Sequence, residues 1–250
     1  MLLLFDVGNT SVSCGKVEKG RFYPLGSFLS DDIPKKICFW LKSGGREDNN
    51  VVISSVVPET TLKIKNGLSR FKNTRLWVAG QNLHVNISHK YKSIGNLGMD
   101  RRVCIYGALR LYKPPFLILD YGTAITADYV DAKGVFQGGM IIPGPELAYQ
   151  ALLNRAAMLP KKARLPQKTL PFLGRSTIEC LQTGILQAYS AMTDGLVEKF
   201  RNNYGDNLQV IATGGFAKQL SPLVSSFNLV DSSLCLKSLR ILFEEQHPRR

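Results

Sequence analysis

The chain has 250 residues, 44% hydrophobic and 20% charged, with a formal net charge of +13. No apolar run approaches the roughly eighteen positions of a membrane span and no tract of one residue type occurs, so a soluble globular protein of one large or two ordinary domains is expected. The positive charge suits an anionic partner such as a nucleotide, an acidic metabolite or nucleic acid. The basic residues, however, come as scattered pairs (Lys35-Lys36, Arg101-Arg102, Lys161-Lys162, Arg249-Arg250) without an arginine-rich arm, which favours a solvated surface over nucleic-acid readout.

The opening MLLLF lacks a basic leader and a cleavage site and runs at once into Asp6, so it is expected in the fold rather than in a signal peptide. LLLFDVG, SVSCGKV and RFYPLGSFL, separated by turn signals such as Lys19-Gly20, predict an antiparallel meander. A helix is expected over 33–41, a buried strand in NNVVISSVV, a helix over 60–72, a strand in TRLWVAG and a helix over 101–112. Pro114-Pro115 ends that helix, and a domain boundary is placed there, dividing the chain into 1–114 and 115–250.

FLILDYGTAIT then repeats the opening design: an apolar strand ending in Asp-x-Gly, with Asp120 in the place of Asp6. AITADYVD and GVFQGGMII supply two further strands in the same order, a helix is expected over 176–203, and NLQVIATGG reads as a strand running into a glycine turn with a helix from Phe216. The repetition predicts internal duplication, and the alternation of strands and helices predicts α/β architecture with mixed sheets. Gly138-Gly139 and Pro143-Gly144 are expected to frame a loop of tight backbone geometry.

The five cysteines stand singly, with no C-x-x-C pair, and His84, His89 and His247 have no metal-ligand spacing; a reducing cytoplasm fits, and a zinc cluster does not. Walker-type, dinucleotide and nucleophile-elbow motifs do not occur. The two Asp-x-Gly turns carry a more specific chemistry. Glycine lets backbone approach a phosphate, successive N–H groups and the hydroxyls of Thr10, Ser11, Thr123 and Thr126 donate to its oxygens, and the carboxylates hold the accompanying cation. The alternative is that Asp6 and Asp120 merely cap turns, as Asp often does before Gly. Ser176 and Glu179 in GRSTIE match a helix-starting capping box.

DVGNT (6–10), LGMDR (97–101), DYGTAITAD (120–128), GGMIIPG (138–144), GRSTIECLQTGI (174–185) and TGG (213–215) occur in one order over nearly the whole chain. In these motifs the sequence resembles the type III pantothenate kinases, also called the Bvg accessory factor family, within the actin, sugar kinase and Hsp70 superfamily. The resemblance implies two ribonuclease-H-like (actin-like ATPase) domains with mixed sheets flanked by helices and a cleft between them. It implies ATP-dependent phosphorylation of the primary hydroxyl of pantothenate, the first step of coenzyme A synthesis, by a cytoplasmic homodimer using Mg²⁺ and a monovalent cation, K⁺ or NH₄⁺.

Carried onto this chain, the resemblance makes Asp100 the general base, and Asp6, Gly8, Asn9, Thr10, Thr123, Gly214 and Gly215 the ATP and phosphate contacts. Asp6 also serves Mg²⁺, Asp120 serves the monovalent cation, and Tyr91, Gly98, Asp100, Arg101 and Thr177 line the substrate. Asp100-Arg101 alternatively reads as a helix start with a favourable acid and a solvated base. Two departures stand in the substrate segment: Ser93-Ile94 replaces an Asn-Pro step, and Met99 replaces a smaller alanine. A regulatory or nucleic-acid-associated protein on the same scaffold, or a kinase of another small hydroxyl metabolite, are the rival expectations.

Overall fold

The computed structural model describes residues 1–43, 49–156, 159, 164–166 and 170–248, so the basic pairs Lys161-Lys162 and Arg249-Arg250 lie outside the described residues. The chain forms two compact units, Met1–Tyr112 with Ser233–Arg250, and Lys113–Ser232.

In unit 1, β1 (Leu2–Val7), β2 (Val12–Glu18) and β3 (Arg21–Phe28) form the expected meander, followed by α1 (Ile33–Ser43), β4 (Asn49–Ser55), α2 (Pro58–Leu68), β5 (Thr74–Val78) and α3 (Met99–Leu111). The sheet order is β3-β2-β1-β4-β5, with β1 antiparallel to β2 and parallel to β4. β1 is apolar on both faces because both are covered. Leu3, Phe5 and Val7 join Ile33, Ile37 and Ile64 of the helices in one core, while Leu2 and Leu4 are also buried on the opposite face.

In unit 2, β6 (Phe116–Tyr121), β7 (Ala124–Val130) and β8 (Phe136–Pro143) precede α4 (Pro145–Arg155) and α5 (Thr177–Tyr204), then come β9 (Gln209–Thr213), α6 (Ala217–Leu220) and β10 (Leu229–Val230). The order β10-β9-β6-β7-β8 reproduces the first sheet strand for strand, with β6 antiparallel to β7 and parallel to β9. Leu117, Leu119 and Tyr121 pack with Leu186, Val197 and Phe200 of α5. The two mixed sheets flanked by helices are the ribonuclease-H-like architecture expected for each half.

The last helix, α7 (Leu234–Gln246), differs from a division at residue 114, because it belongs to unit 1. It packs on α3, and at Gly107 a Cβ would stand 2.6 Å from the Ser238 Cα, so the two helices cross almost backbone to backbone. Neither α7, β10 nor α4 was foreseen in the sequence, although Gly144-Pro145-Glu146 opens α4 with proline in its first turn. The helix expected over 60–72 runs instead from Pro58 to Leu68. Gly138-Gly139 lie inside β8 rather than in a loop: the strand stays paired with β7 through a register shift at Tyr129/Val130, and Gly138 takes φ +136° opposite Tyr129.

Candidate active site

Asp6 is the penultimate residue of β1 and lies in register with Ser13 of β2 and Ser54 of β4. Val7 then leads into a tight turn closed by a 3.1 Å hydrogen bond from the Gly8 N–H to the Ser11 carbonyl, leaving Asn9, Thr10 and Ser11 exposed at its tip. The Asp6 Oδ1 is sealed from solvent without a hydrogen-bond partner, and so is the Ser54 hydroxyl. Burial, and after it the charge of Asp100, pushes the Asp6 carboxyl up to about 7, against smaller lowering effects from the Cys235 thiol and the Ser54 hydroxyl. Asp6 and Asp100 are therefore neighbours within unit 1.

Asp100 occupies the first turn of α3, where its Oδ1 accepts a 2.8 Å hydrogen bond from the Arg101 N–H. Gly98 precedes the helix, and a Cβ there would lie 2.5 Å from the same Oδ1, so only glycine leaves the carboxylate its place. Arg101 is buried, at 8% exposure, which removes the solvated-base reading of this pair. Tyr91 is half-buried upstream, its carbonyl 3.2 Å from His89 Nδ1.

Unit 2 repeats the device at Asp120, the penultimate residue of β6, in register with Thr126 of β7 and Thr213 of β9. The turn is shorter, with Gly122 N–H donating to Ala124 O at 3.1 Å and Thr123 exposed. The TGG turn closes on it: at Gly214, with φ +87°, a Cβ would stand 2.6 Å from the Tyr121 nitrogen and closer still to Asp120 Oδ1. Gly214 thus has to be glycine for conformation and for space, whereas Gly215 is open and exposed. Gly144 supports the turn from behind, donating to the Thr123 carbonyl at 2.9 Å.

Thr177 is the first residue of α5 and is exposed. The capping box forms with one change: Ser176 Oγ accepts from the Glu179 N–H at 3.3 Å, while Glu179 Oε2 reaches past Ser176 to the Arg175 N–H at 2.8 Å. Unit 1 therefore gathers Asp6 and Asp100, and unit 2 gathers Asp120, Thr123 and Gly214.

Three neighbours of the acids were missed in the sequence. Ser54 and Thr213 hold equivalent places beside Asp6 and Asp120, and both are buried. Superposing the duplicated strands VISS and IATG would have found them. Cys235, at the start of α7, bears on Asp6 from 229 positions away in sequence and no local signal marks it.

A sequence profile of the type III pantothenate kinase family matches residues 2–199. The chain is 34% identical over 254 residues to a type III pantothenate kinase of Exiguobacterium sibiricum, covering 98% of this chain and 99% of the relative. It is 33% identical over 256 residues to one of Desulfovibrio desulfuricans, covering 98% and 97%. Among solved structures, the fold is similar to a Campylobacter jejuni protein named for the Baf family of transcriptional activators, with TM-score 0.56, 18% identity and coverage of 98% and 97%. It is also similar to the ethanolamine utilization protein EutJ from Carboxydothermus hydrogenoformans, with TM-score 0.51, 11% identity and coverage of 96% and 89%.

Proposed function

The chain belongs to the type III pantothenate kinase family, and we propose from that premise that it transfers the γ-phosphoryl group of ATP to the primary hydroxyl of pantothenate. The product is 4'-phosphopantothenate, and the reaction is the first step of coenzyme A synthesis. The observation that carries the residue roles is the closeness, within unit 1, of Asp6, whose Oδ1 is buried and unpartnered, to Asp100 on the first turn of α3.

Phosphoryl transfer asks for positioning, charge neutralisation and an acceptor for the hydroxyl proton. Asp100 takes the proton as the hydroxyl oxygen bonds to phosphorus and the bond to the ADP oxygen breaks. Its Oδ1 is oriented by the Arg101 N–H, so the carboxylate does not swing away from the acceptor. Within unit 1, Tyr91, Gly98 and Arg101 line the acceptor, and Gly8, Asn9 and Thr10 meet the phosphates with backbone and hydroxyl donors.

The orphaned Asp6 Oδ1 fits Mg²⁺, which characteristically takes one or two carboxylates together with phosphate oxygens and waters, and which supplies neutralisation of phosphate charge when bound. Asp120 fits the monovalent cation, on a turn crowded by Gly214, and Thr123, Gly214 and Gly215 contact the nucleotide.

Met140, Ile141, Leu147, Leu152, Phe172 and Leu173 are exposed apolar residues of unit 2, and they support a homodimer formed through that unit. Among the described residues none of the five cysteines is in a disulfide, in keeping with a reducing cytoplasm, and no helix is long and apolar enough to cross a membrane.

An ADP-release assay with Mg²⁺ over a panel of small alcohols, with and without K⁺ or NH₄⁺, tests the reading. Release that depends on pantothenate and on the monovalent cation is expected. Release with another alcohol in place of pantothenate would overturn the substrate, and pantothenate turnover indifferent to monovalent cations would overturn the role of Asp120.

A further inference from the structure

Two hydroxyls flank Asp6 in the sheet of unit 1, and they are engaged differently. Asp6 points away from the core of Leu3, Phe5 and Val7, toward Asp100 of α3 and Cys235 of α7. It lies in register with Ser13 on one side and Ser54 on the other, and in-register residues of neighbouring strands project to the same face. Ser13 Oγ is paired with Ser27 Oγ at 3.1 Å. Ser54 is fully buried, and its hydroxyl approaches the Asp6 carboxyl without completing a hydrogen bond to it or to any other described group.

A buried hydroxyl without a partner is a cost to the fold, which a small apolar side chain at the same place would avoid. Unit 2 nevertheless repeats the placement. Thr213, on the parallel neighbour of β6, lies in register with Asp120 and is 3% exposed. Two strands of different sequence, NNVVISS and QVIAT, thus set a buried hydroxyl beside the acid of each unit. Ser54 is more deeply enclosed than Asp6, which is only part-buried, so it reaches a cation through the carboxylate and not by direct contact. Its O–H turns about the Cβ–Oγ bond and can be aimed at Asp6 without any movement of β4.

We propose that Ser54 is a positioning residue for Asp6: its hydroxyl donates to the carboxylate that holds Mg²⁺ and fixes the orientation in which the cation is bound. The inference rests on the proposed assignment of Mg²⁺ to Asp6. Without the cation the same hydroxyl is an unsatisfied buried group, so its removal moves stability and metal affinity in opposite directions. A serine kept only for packing would not show that opposition.

Mn²⁺ is the probe, its bound fraction read by electron paramagnetic resonance on the full chain with saturating AMP-PNP, in wild type, Ser54→Ala, Ser54→Thr and Asp6→Asn. Chelation by free nucleotide is common to all four. Mn²⁺ should bind Ser54→Ala about 10- to 100-fold more weakly than wild type, the usual effect of removing a group that orients a metal ligand. Ser54→Thr keeps the donor and should bind within about threefold of wild type. Without nucleotide or metal, Ser54→Ala should melt no lower than wild type, because the hydroxyl it loses has no partner. Equal weakening in the alanine and threonine variants would trace the effect to packing and overturn the inference, and so would a lower melting temperature of ligand-free Ser54→Ala. Mn²⁺ binding reduced in Asp6→Asn but within about twofold of wild type in Ser54→Ala would overturn the inference alone. Mn²⁺ binding by Asp6→Asn as tight as by wild type would instead remove the metal from Asp6, and the inference with it.

Discussion

Asp6 and Asp100 stand close enough in unit 1 that the charge of Asp100 adds to burial in lifting the Asp6 carboxyl to about 7. A carboxylate in that position is costly to ionise in the protein without ligands, and its unpartnered Oδ1 is ready for a cation.

The cost is measurable as a pH dependence. The Asp6 pKa is raised from 3.8 to about 7 on folding, so the folded state holds the proton more tightly; its stabilisation is full below 3.8 and is lost as pH rises through 7. Asp6→Asn cannot ionise and escapes this loss. Its stability relative to wild type should therefore grow by about 2.5 kcal/mol between pH 5 and pH 8. Urea unfolding of both proteins at the two pH values, without divalent cations, makes the comparison, and a constant difference would show that Asp6 ionises freely. The same variant should lose turnover, the usual opposition of stability and function at an active site.

Asp100→Asn separates chemistry from structure at the next position. An asparagine Oδ1 can still accept the hydrogen bond that Asp100 Oδ1 takes from the Arg101 N–H, so α3 should start as before and the melting temperature should hold. What is lost is the proton acceptor, and kcat should fall by roughly 10²- to 10⁴-fold. Full turnover at saturating substrate would mean that Asp100 only begins a helix.

The twin acids were legible because each needs only local sequence: an apolar strand, Asp-x-Gly and a hydroxyl residue, within the reach of one hairpin. Gly214 was legible as a turn, but its contact with Asp120 needs β9 to pair with β6 after an intervening α5 of 28 residues. The burial of Arg101 was not legible at all, since a basic residue on a first helical turn is ordinarily solvated. α7 shows the limit most plainly. Leu234, Leu236, Leu239 and Leu242 mark an apolar helix face, but its partner α3 lies well over a hundred positions earlier, and proximity in sequence assigned it to the wrong half.

The two glycines of the TGG turn should behave differently. Gly214→Ala forces a side chain into a left-handed conformation and onto the Tyr121 backbone and Asp120, so a loss of about 1–3 kcal/mol or more is expected, with impaired nucleotide binding. Gly215→Ala meets nothing in the protein and should leave stability within about 0.5 kcal/mol. If Gly215 brings its backbone to the nucleotide, the KM for ATP should rise in that otherwise stable variant. An unchanged KM would remove Gly215 from the site.

The α3–α7 crossing gives a test of the unit to which the C-terminal helix belongs. A methyl group at Gly107 would strike the Ser238 side chain and stand 2.6 Å from its Cα, so Gly107→Ala should overpack the crossing and cost about 1–3 kcal/mol. Removing the Ser238 side chain clears Oγ and Cβ from that space and also forfeits the hydrogen bond from Oγ to the Leu234 carbonyl. Ser238→Gly alone should therefore destabilise, yet in the Gly107→Ala background it should recover part of the loss. That sign reversal is the signature of direct contact, because substitutions that do not touch add. Because Cys235 on the first turn of α7 bears on Asp6, a displaced α7 should also disturb the Asp6 environment, and Gly107→Ala should lose turnover that Ser238→Gly partly restores. Simple additivity in the four-protein cycle, read by urea midpoints and by initial rates, would place α7 away from α3.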